Sequence, residues 1–296
     1  MRMRGVTLLL CCALTACALT AVSPAPPTTI RLPALLARIE AARTVTVSAY
    51  TLQSRSPILH ALAIAHARGA HVALVLTGSG MGYAVAENRR IEHSDTIFHV
   101  VLLARPIHLK SVVLDHGTNG VYLSDRNFAR YGIILRLPAQ DALPVERAVM
   151  GDPHDAGALT VTKGSSLAAE ARLIDRARHS VRLSTESFGD GNAVYDALRR
   201  ALARRVHVTI TVARSELRRN RYEQRALARL RRAGARVNTS WTDEKLLLVD
   251  RRIGWLGSTN ATYGYDDQID WGYTTTAPAL LATIARHLAL PHARRL

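Results

Sequence analysis

Shifting this chain of 296 residues by 136 positions lays part of it on itself. Residues 43–48 (Arg-Thr-Val-Thr-Val-Ser) fall on residues 179–184 (His-Ser-Val-Arg-Leu-Ser), and both read as short strands. Residues 67–72 fall on 203–208, with the Ala, Arg, His and Val positions 67, 68, 71 and 72 repeated at 203, 204, 207 and 208. Between these points each copy carries a helical period. Ile58, Leu62 and Ala65 mark it in the first copy, and Val194, Leu198 and Ala201 in the second. Both copies then enter a strand, at 72–76 and 208–212. A duplicated strand–helix–strand unit restricts the chain to an α/β architecture. The expectation is two similar α/β lobes with mixed sheets, related by a pseudo-twofold axis. The joint falls in the aperiodic, Pro-, Asp- and Gly-rich stretch from Pro138 to Thr160, which divides the lobes into 35–145 and 146–296.

The first 17 residues read as an address. Arg2 and Arg4 precede an apolar run, Val6 to Ala16, that is too short to span a membrane. The run ends in Leu14-Thr15-Ala16-Cys17, which resembles a bacterial lipobox. That resemblance implies a signal peptide over 1–17, lipidation of Cys17, and an exported lipoprotein. With Ala18 after the cysteine, it also implies an outer-membrane anchor facing the periplasm. The other reading is an ordinary cleavable signal with incidental cysteines. Residues 18–34 hold Pro24, Pro26, Pro27 and Pro33 and read as a tether. All three cysteines (Cys11, Cys12, Cys17) lie in the leader, so the body has no disulfide framework and no cysteine metal cluster.

The net charge is +16, and removing Arg2 and Arg4 leaves +14. Of the 39 basic residues 36 are arginine, and the lysines are Lys110, Lys163 and Lys245. In such a chain a lysine marks a place where a compact ammonium is wanted and a planar guanidinium does not serve. Thirteen arginines crowd the stretch from Arg199 to Arg236, with Leu217, Leu227 and Leu230 supplying an apolar side. One reading is contact with anionic headgroups or a nucleic-acid backbone, the other a solvated helix face. The stretch lacks interleaved aromatics for base stacking, so nucleic acid is the less favoured partner.

Late in each half a polar cluster recurs. The first half has His108-Leu109-Lys110, Asp115 and Ser124-Asp125-Arg126-Asn127. The second has Asp243-Glu244-Lys245, Asp250 and Gly257-Ser258-Thr259-Asn260. Lysine and aspartate stand five apart in both, with apolar residues between them, so each cluster enters a strand; alternation puts His108 and Lys110 on one face.

These two copies resemble the duplicated H-x-K-x4-D and G-S-x-N motifs of the phospholipase D superfamily. The likeness covers about residues 36–296. It implies two α/β/α lobes with a cleft between them, phosphodiester cleavage of phospholipid or sometimes nucleic acid, and no metal or cofactor. It implies His108 as a nucleophile forming a phosphohistidine. Lys110, Lys245, Asn127, Asn260 and Ser258 would hold the phosphate, with Asp115 and Asp250 completing the motifs; these two aspartates also read as structural in part, holding strand and loop by hydrogen bonds. The departures are specific. Asp243 stands where the second histidine is expected, Ser124-Asp125 replaces Gly-Ser, and Asp270 has no acid counterpart at Arg130-Tyr131-Gly132. In one reading Asp243 serves as general acid and base while Asp270 reaches across to orient His108. In another the protein binds phosphate esters without turning them over. Trp241, Trp255 and Trp271 bracket the second motif and read as core before cleft lining. A monomer is expected over a dimer.

Overall fold

In the computed structural model of the chain, residues 26–52, 56–80, 82–94, 97–128, 132–241, 243–289 and 294–295 are described. The leader, Cys17 and the positions Arg130 and Tyr131 lie outside the described residues.

The first lobe runs β1 (Thr28–Ile30), α1 (Leu32–Ala41), β2 (Thr44–Ala49), α2 (Pro57–Ala67), β3 (His71–Thr77), α3 (Gly82–Ser94), β4 (His99–Leu103), β5 (Ser111–Leu114), β6 (Gly120–Ser124), β7 (Ile134–Leu137) and α4 (Ala142–Val149). The second runs β8 (Leu159–Thr162), α5 (Lys163–Asp175), β9 (Ser180–Thr185), α6 (Ala193–Ala203), β10 (His207–Ala213), α7 (Arg214–Arg219), α8 (Arg221–Arg232), β11 (Arg236–Ser240), β12 (Lys245–Val249), β13 (Ile253–Gly257), β14 (Ile269–Thr275), α9 (Pro278–His287) and β15 (Arg294–Arg295).

The sheet orders repeat strand for strand. One is β4-β3-β2-β5-β6-β7-β1; the other is β11-β10-β9-β12-β13-β14-β8, with β15 added outside β11. In each sheet three strands run parallel (β2–β3–β4 and β9–β10–β11). Antiparallel strands follow beside β2 and β9. Both sheets are therefore mixed, and the two lobes are similar, as the repeat implies.

Period-two alternation sorts each strand between two cores. Val112 and Leu114 of β5 join α1 and α2 in an outer cluster, and Val113 between them faces inward. In the same way Leu247 and Val249 of β12 join α5, α6 and α8, while Leu246 and Leu248 face inward. The inward residues of both sheets meet in one shared core with Val145, Ala148 and Val149 of α4 and Leu280 and Ile284 of α9. Burying such a layer from both sides fixes the lobes against each other.

Two boundaries need correction. Residues 28–34, assigned to a tether on their prolines, are already in the first lobe. Thr28, Thr29 and Ile30 pair with Arg136, Leu135 and Ile134 of β7. Pro33 sits in the first turn of α1, where a missing N–H breaks no helical bond. The lobe boundary at 145/146 falls inside α4, a helix in the shared core. Among the described residues no helix is long and apolar enough to cross a membrane.

Candidate active site

Backbone bonds between the lobes carry His108 to its partner. The N–H groups of His108 and Leu109 both donate to the Ile269 carbonyl, at 2.7 and 3.1 Å, and the Ile269 N–H donates to Pro106 O at 2.9 Å. Asp270 follows Ile269 in β14, so its carboxylate lies against the His108 ring: Oδ2 is 3.5 Å from Nδ1. Within the first lobe, the Ser48 hydroxyl donates to the Leu109 carbonyl at 3.1 Å and contacts the Ser111 hydroxyl at 2.8 Å. The segment that carries His108 and Lys110 is thereby tied to β2.

A cavity of about 550 Å³ opens above this joint. His108, Lys110, Asn127, Asp243, Lys245 and Asn260, all named from sequence, line it. Lys110 and Lys245 are each 2% exposed, so these lysines are not surface cations. The Lys110 ammonium donates to the His108 carbonyl at 2.6 Å. Asp243, the residue in the second histidine's place, accepts from the Arg126 guanidinium of the other lobe.

Burial sets the charge states. The His108 imidazole is held below its usual value by burial and by Lys110, with Asp270 partly offsetting both. It is therefore neutral at neutral pH, as a nucleophile must be. A neutral ring that turns its Nδ1 proton to Asp270 presents the Nε2 lone pair for attack. Asp270 is fully buried, yet His108, Lys110 and the Ser258 hydroxyl outweigh burial and hold it ionised. Lys110 is pushed well below its usual value by burial and by Lys245. An arriving phosphate anion would favour its charged form.

Three residues expected in the site are elsewhere. Ser258 is fully buried and outside the cavity; its hydroxyl donates to Asp270 and accepts from the Trp271 N–H. It holds the acid rather than the phosphate. Asp115 and Asp250 lie at the far ends of β5 and β12, about 16 Å of extended chain from their lysines. Asp115 accepts from the N–H groups of Arg43 and Thr44. Asp250 accepts from those of Arg178, His179 and Ser180, at 2.7–2.9 Å. Both residues sit at positive φ (50° and 49°) and pin the loop that enters β2 or β9. Asp250→Ala is therefore expected to cost about 1–3 kcal/mol of stability at pH 7. The native carboxylate titrates below its unfolded value, so its contribution is present above that value and is lost as pH falls through the native one. Denaturant melts at pH 7 and pH 3 check this; a difference between wild type and variant that stays constant with pH would contradict it.

The first half does keep a buried acid, in an unexpected place. Asp125, at the position matching Ser258, is fully buried and accepts from the Ile133 N–H at 2.8 Å. Burial, with Glu244 nearby, pushes it up to about 7. Gly257 has its own cause. A Cβ there would stand 2.2 Å from the Trp271 carbonyl oxygen and 2.8 Å from the Trp255 ring. Of the three tryptophans, Trp255 and Trp271 are core, whereas Trp241 is 74% exposed beneath the Arg214 guanidinium.

Lys163 and Glu186 are among the lining residues that stand outside the motifs. Lys163 opens α5. Glu186 follows β9 at the position matching Tyr50, and its carboxylate meets the Lys245 ammonium at 2.7 Å and the Asn260 amide at 3.3 Å. Burial alone would raise Glu186, but Lys245, His108 and Lys110 hold it down to about 2. Lysine scarcity pointed to Lys163; for Glu186 the only signal was its place at a strand end one repeat from Tyr50. A phosphate held by Lys245 and Asn260 would stand beside this carboxylate. Glu186→Gln is thus expected to tighten propyl phosphate binding roughly tenfold by removing a like charge. Weaker binding in calorimetry would instead make Glu186 a support for Lys245.

Comparison with known proteins adds the class. Residues 171–287 match the family model described as "Cardiolipin synthase, PLD-like domain". No curated protein matches the chain. The polyphosphate kinase of Porphyromonas gingivalis superposes with a TM-score of 0.63 at 16% identity, over 88% of this chain and 46% of the kinase. This chain therefore spans less than half the length of that enzyme. The phosphatidylserine synthase of Haemophilus influenzae Rd KW20 gives 0.63 at 10% identity, over 90% of this chain and 85% of its own. Nuc of Salmonella typhimurium, a phospholipase D family member, aligns with 44% of this chain at 22% identity and a TM-score of 0.40. The fold is the two-lobed α/β fold of the phosphatidylserine synthase, and the second lobe carries the match to the phospholipase D-like domain. The match over residues 171–287 supports a likeness to the phospholipase D superfamily, while the solved structures show a likeness of fold.

Proposed function

We propose that the chain is a phospholipase D-like phosphodiesterase that acts on phospholipid, by hydrolysis or transfer to an alcohol, through a phosphohistidine on His108. The observation that carries this reading is His108 held against Asp270 from the other lobe, beside two buried lysines on one cavity. Lys110, Lys245, Asn127 and Asn260 bind the non-bridging oxygens and offset the charge that develops at phosphorus. His108 Nε2 attacks, an N–P bond forms, and the bond from phosphorus to the leaving oxygen breaks. Asp270 stabilises the imidazolium character that follows. The leaving oxygen takes a proton from Asp243, which must first part from Arg126 and take up a proton from solvent. Water or an alcohol then gives its proton to Asp243 and displaces the histidine.

The rim suits a phospholipid. Exposed aromatics gather at the cleft mouth: Tyr83, Tyr263 and Tyr265 line the cavity, and Tyr222 packs on Gly189 beside Thr262. Trp241 stands two residues before Asp243, also exposed. Amphipathic rings of this kind suit the lipid headgroup boundary. A Cys17 lipid anchor in the outer membrane would keep the cleft beside its substrate. The second reading, a non-catalytic binder of phosphate esters, draws support from the Arg126–Asp243 and Lys245–Glu186 ion pairs, which occupy two groups the chemistry needs.

The test is a panel without added metal: phosphatidylglycerol, cardiolipin, phosphatidylethanolamine, a chromogenic aryl diester and single-stranded DNA. Release of a lipid headgroup supports the proposal. Turnover of DNA alone makes the protein a nuclease, and binding without turnover of any diester leaves the second reading.

A further inference from the structure

All three lysines of the chain line one cavity, and Lys163 is the one with no place in the chemistry above. Its residue is 4% exposed. The ammonium donates to the Thr262 hydroxyl at 2.9 Å and to the Gly264 carbonyl at 2.7 Å. Both acceptors are neutral, and among the described residues no carboxylate stands within ion-pairing distance of it. Asp270 and Asp266 act on it only through space. An ammonium has three donors, so one N–H remains. A buried cation is costly unless an anion meets it.

Tying α5 to the 262–264 loop explains the two bonds but not the charge, since a glutamine amide could serve the same two oxygens. Nor does Lys163 belong to the phosphate clamp. Asp270 acts on both Lys110 and Lys163, but Lys245, Glu186 and Asp243 act on Lys110 and not on Lys163. The ammonium thus sits against the 262–264 loop, and the Lys163 backbone N–H donates to the Gln268 carbonyl at 2.9 Å.

We propose that Lys163 is a second anion site, which reads a phosphate or carboxylate borne by the same substrate molecule as the diester held at Lys110 and Lys245. This rests on the phosphodiesterase reading and narrows it to diesters with a second anionic group.

Binding tests it without relying on turnover. Calorimetry compares propyl phosphate, alkanediol bisphosphates with three to six carbons between the phosphates, and carboxyalkyl phosphates of the same lengths. In the wild type at least one dianionic probe is expected to bind tenfold or more tightly than propyl phosphate; whether the best probe carries phosphate or carboxylate names the group. Lys163→Gln should reduce that preference to within twofold and leave propyl phosphate unchanged. Lys163→Met is the second variant should the first not fold. The proposal is overturned if the wild type shows no preference, if the preference survives both substitutions, or if propyl phosphate binding falls equally. A preference seen without turnover of any diester sinks the phosphodiesterase reading alone; turnover without a preference sinks the second anion site alone.

Discussion

His108→Ala is expected to lower kcat on any diester the protein turns over by about 10⁴-fold or more, while phosphate-ester binding stays within a few-fold of wild type. The substitution removes the attacking nitrogen and leaves the clamp, since Lys110 bonds to the backbone oxygen of residue 108 and not to its ring. The joint between the lobes is likewise made by the backbone of 108 and 109. Steady-state rates on the best substrate of the panel, with the Kd for propyl phosphate, measure both parts. Activity within tenfold of wild type would remove His108 from the role of nucleophile. Loss of binding together with rate would mean that the ring supports the fold of the cleft.

Asp270→Asn carries the second large effect, expected at about 10²–10⁴-fold in kcat. The amide is nearly isosteric, so the packing against Trp271 and the bond from Ser258 survive in outline. It no longer stabilises the cation that forms on His108 as phosphorus bonds, and it does not hold the Nδ1 proton in place. The pH profile separates this from simple damage. His108 titrates below 6.5, so the acid limb of kcat/KM should lie there. Asp270 raises the His108 value against burial and Lys110. Removing its charge must therefore move the limb to still lower pH. A limb that stays put, or moves up, would show that Asp270 does not act through His108.

The legible parts of this protein were the periodic ones. The 136-residue shift matches β2 to β9, α2 to α6 and β3 to β10, because each pair buries the same face against the same neighbours. The clustering of His108, Lys110, Lys245 and both asparagines was carried by motif spacing. Asp115 and Asp250 hold strand and loop by hydrogen bonds, as read from the sequence, and stand away from the cavity because five residues of strand carry a side chain to the opposite end of the sheet. Ser258 misled because its partner, Asp270, arrives from the next strand over. Glu186 was silent for the same reason, since its contact with Lys245 joins residues 59 apart. The Arg199–Arg236 stretch splits between contacts within the fold and solvent. Arg200 pairs with Asp175 and Arg229 with Asp190, and among the described residues none of its arginines lines the cleft. Composition was the better guide, for the three scarce lysines all came to one place.

The most direct test of the account is to trap the covalent intermediate. A fast-reacting aryl diester is mixed with the protein, quenched in base within milliseconds to seconds, and the intact mass and its fragments are read. The account predicts a phosphoryl-ester adduct on His108 that is lost in acid, persists longer in Asp243→Asn and is absent in His108→Ala. Turnover with no adduct in either protein, or an adduct on another residue, would contradict it.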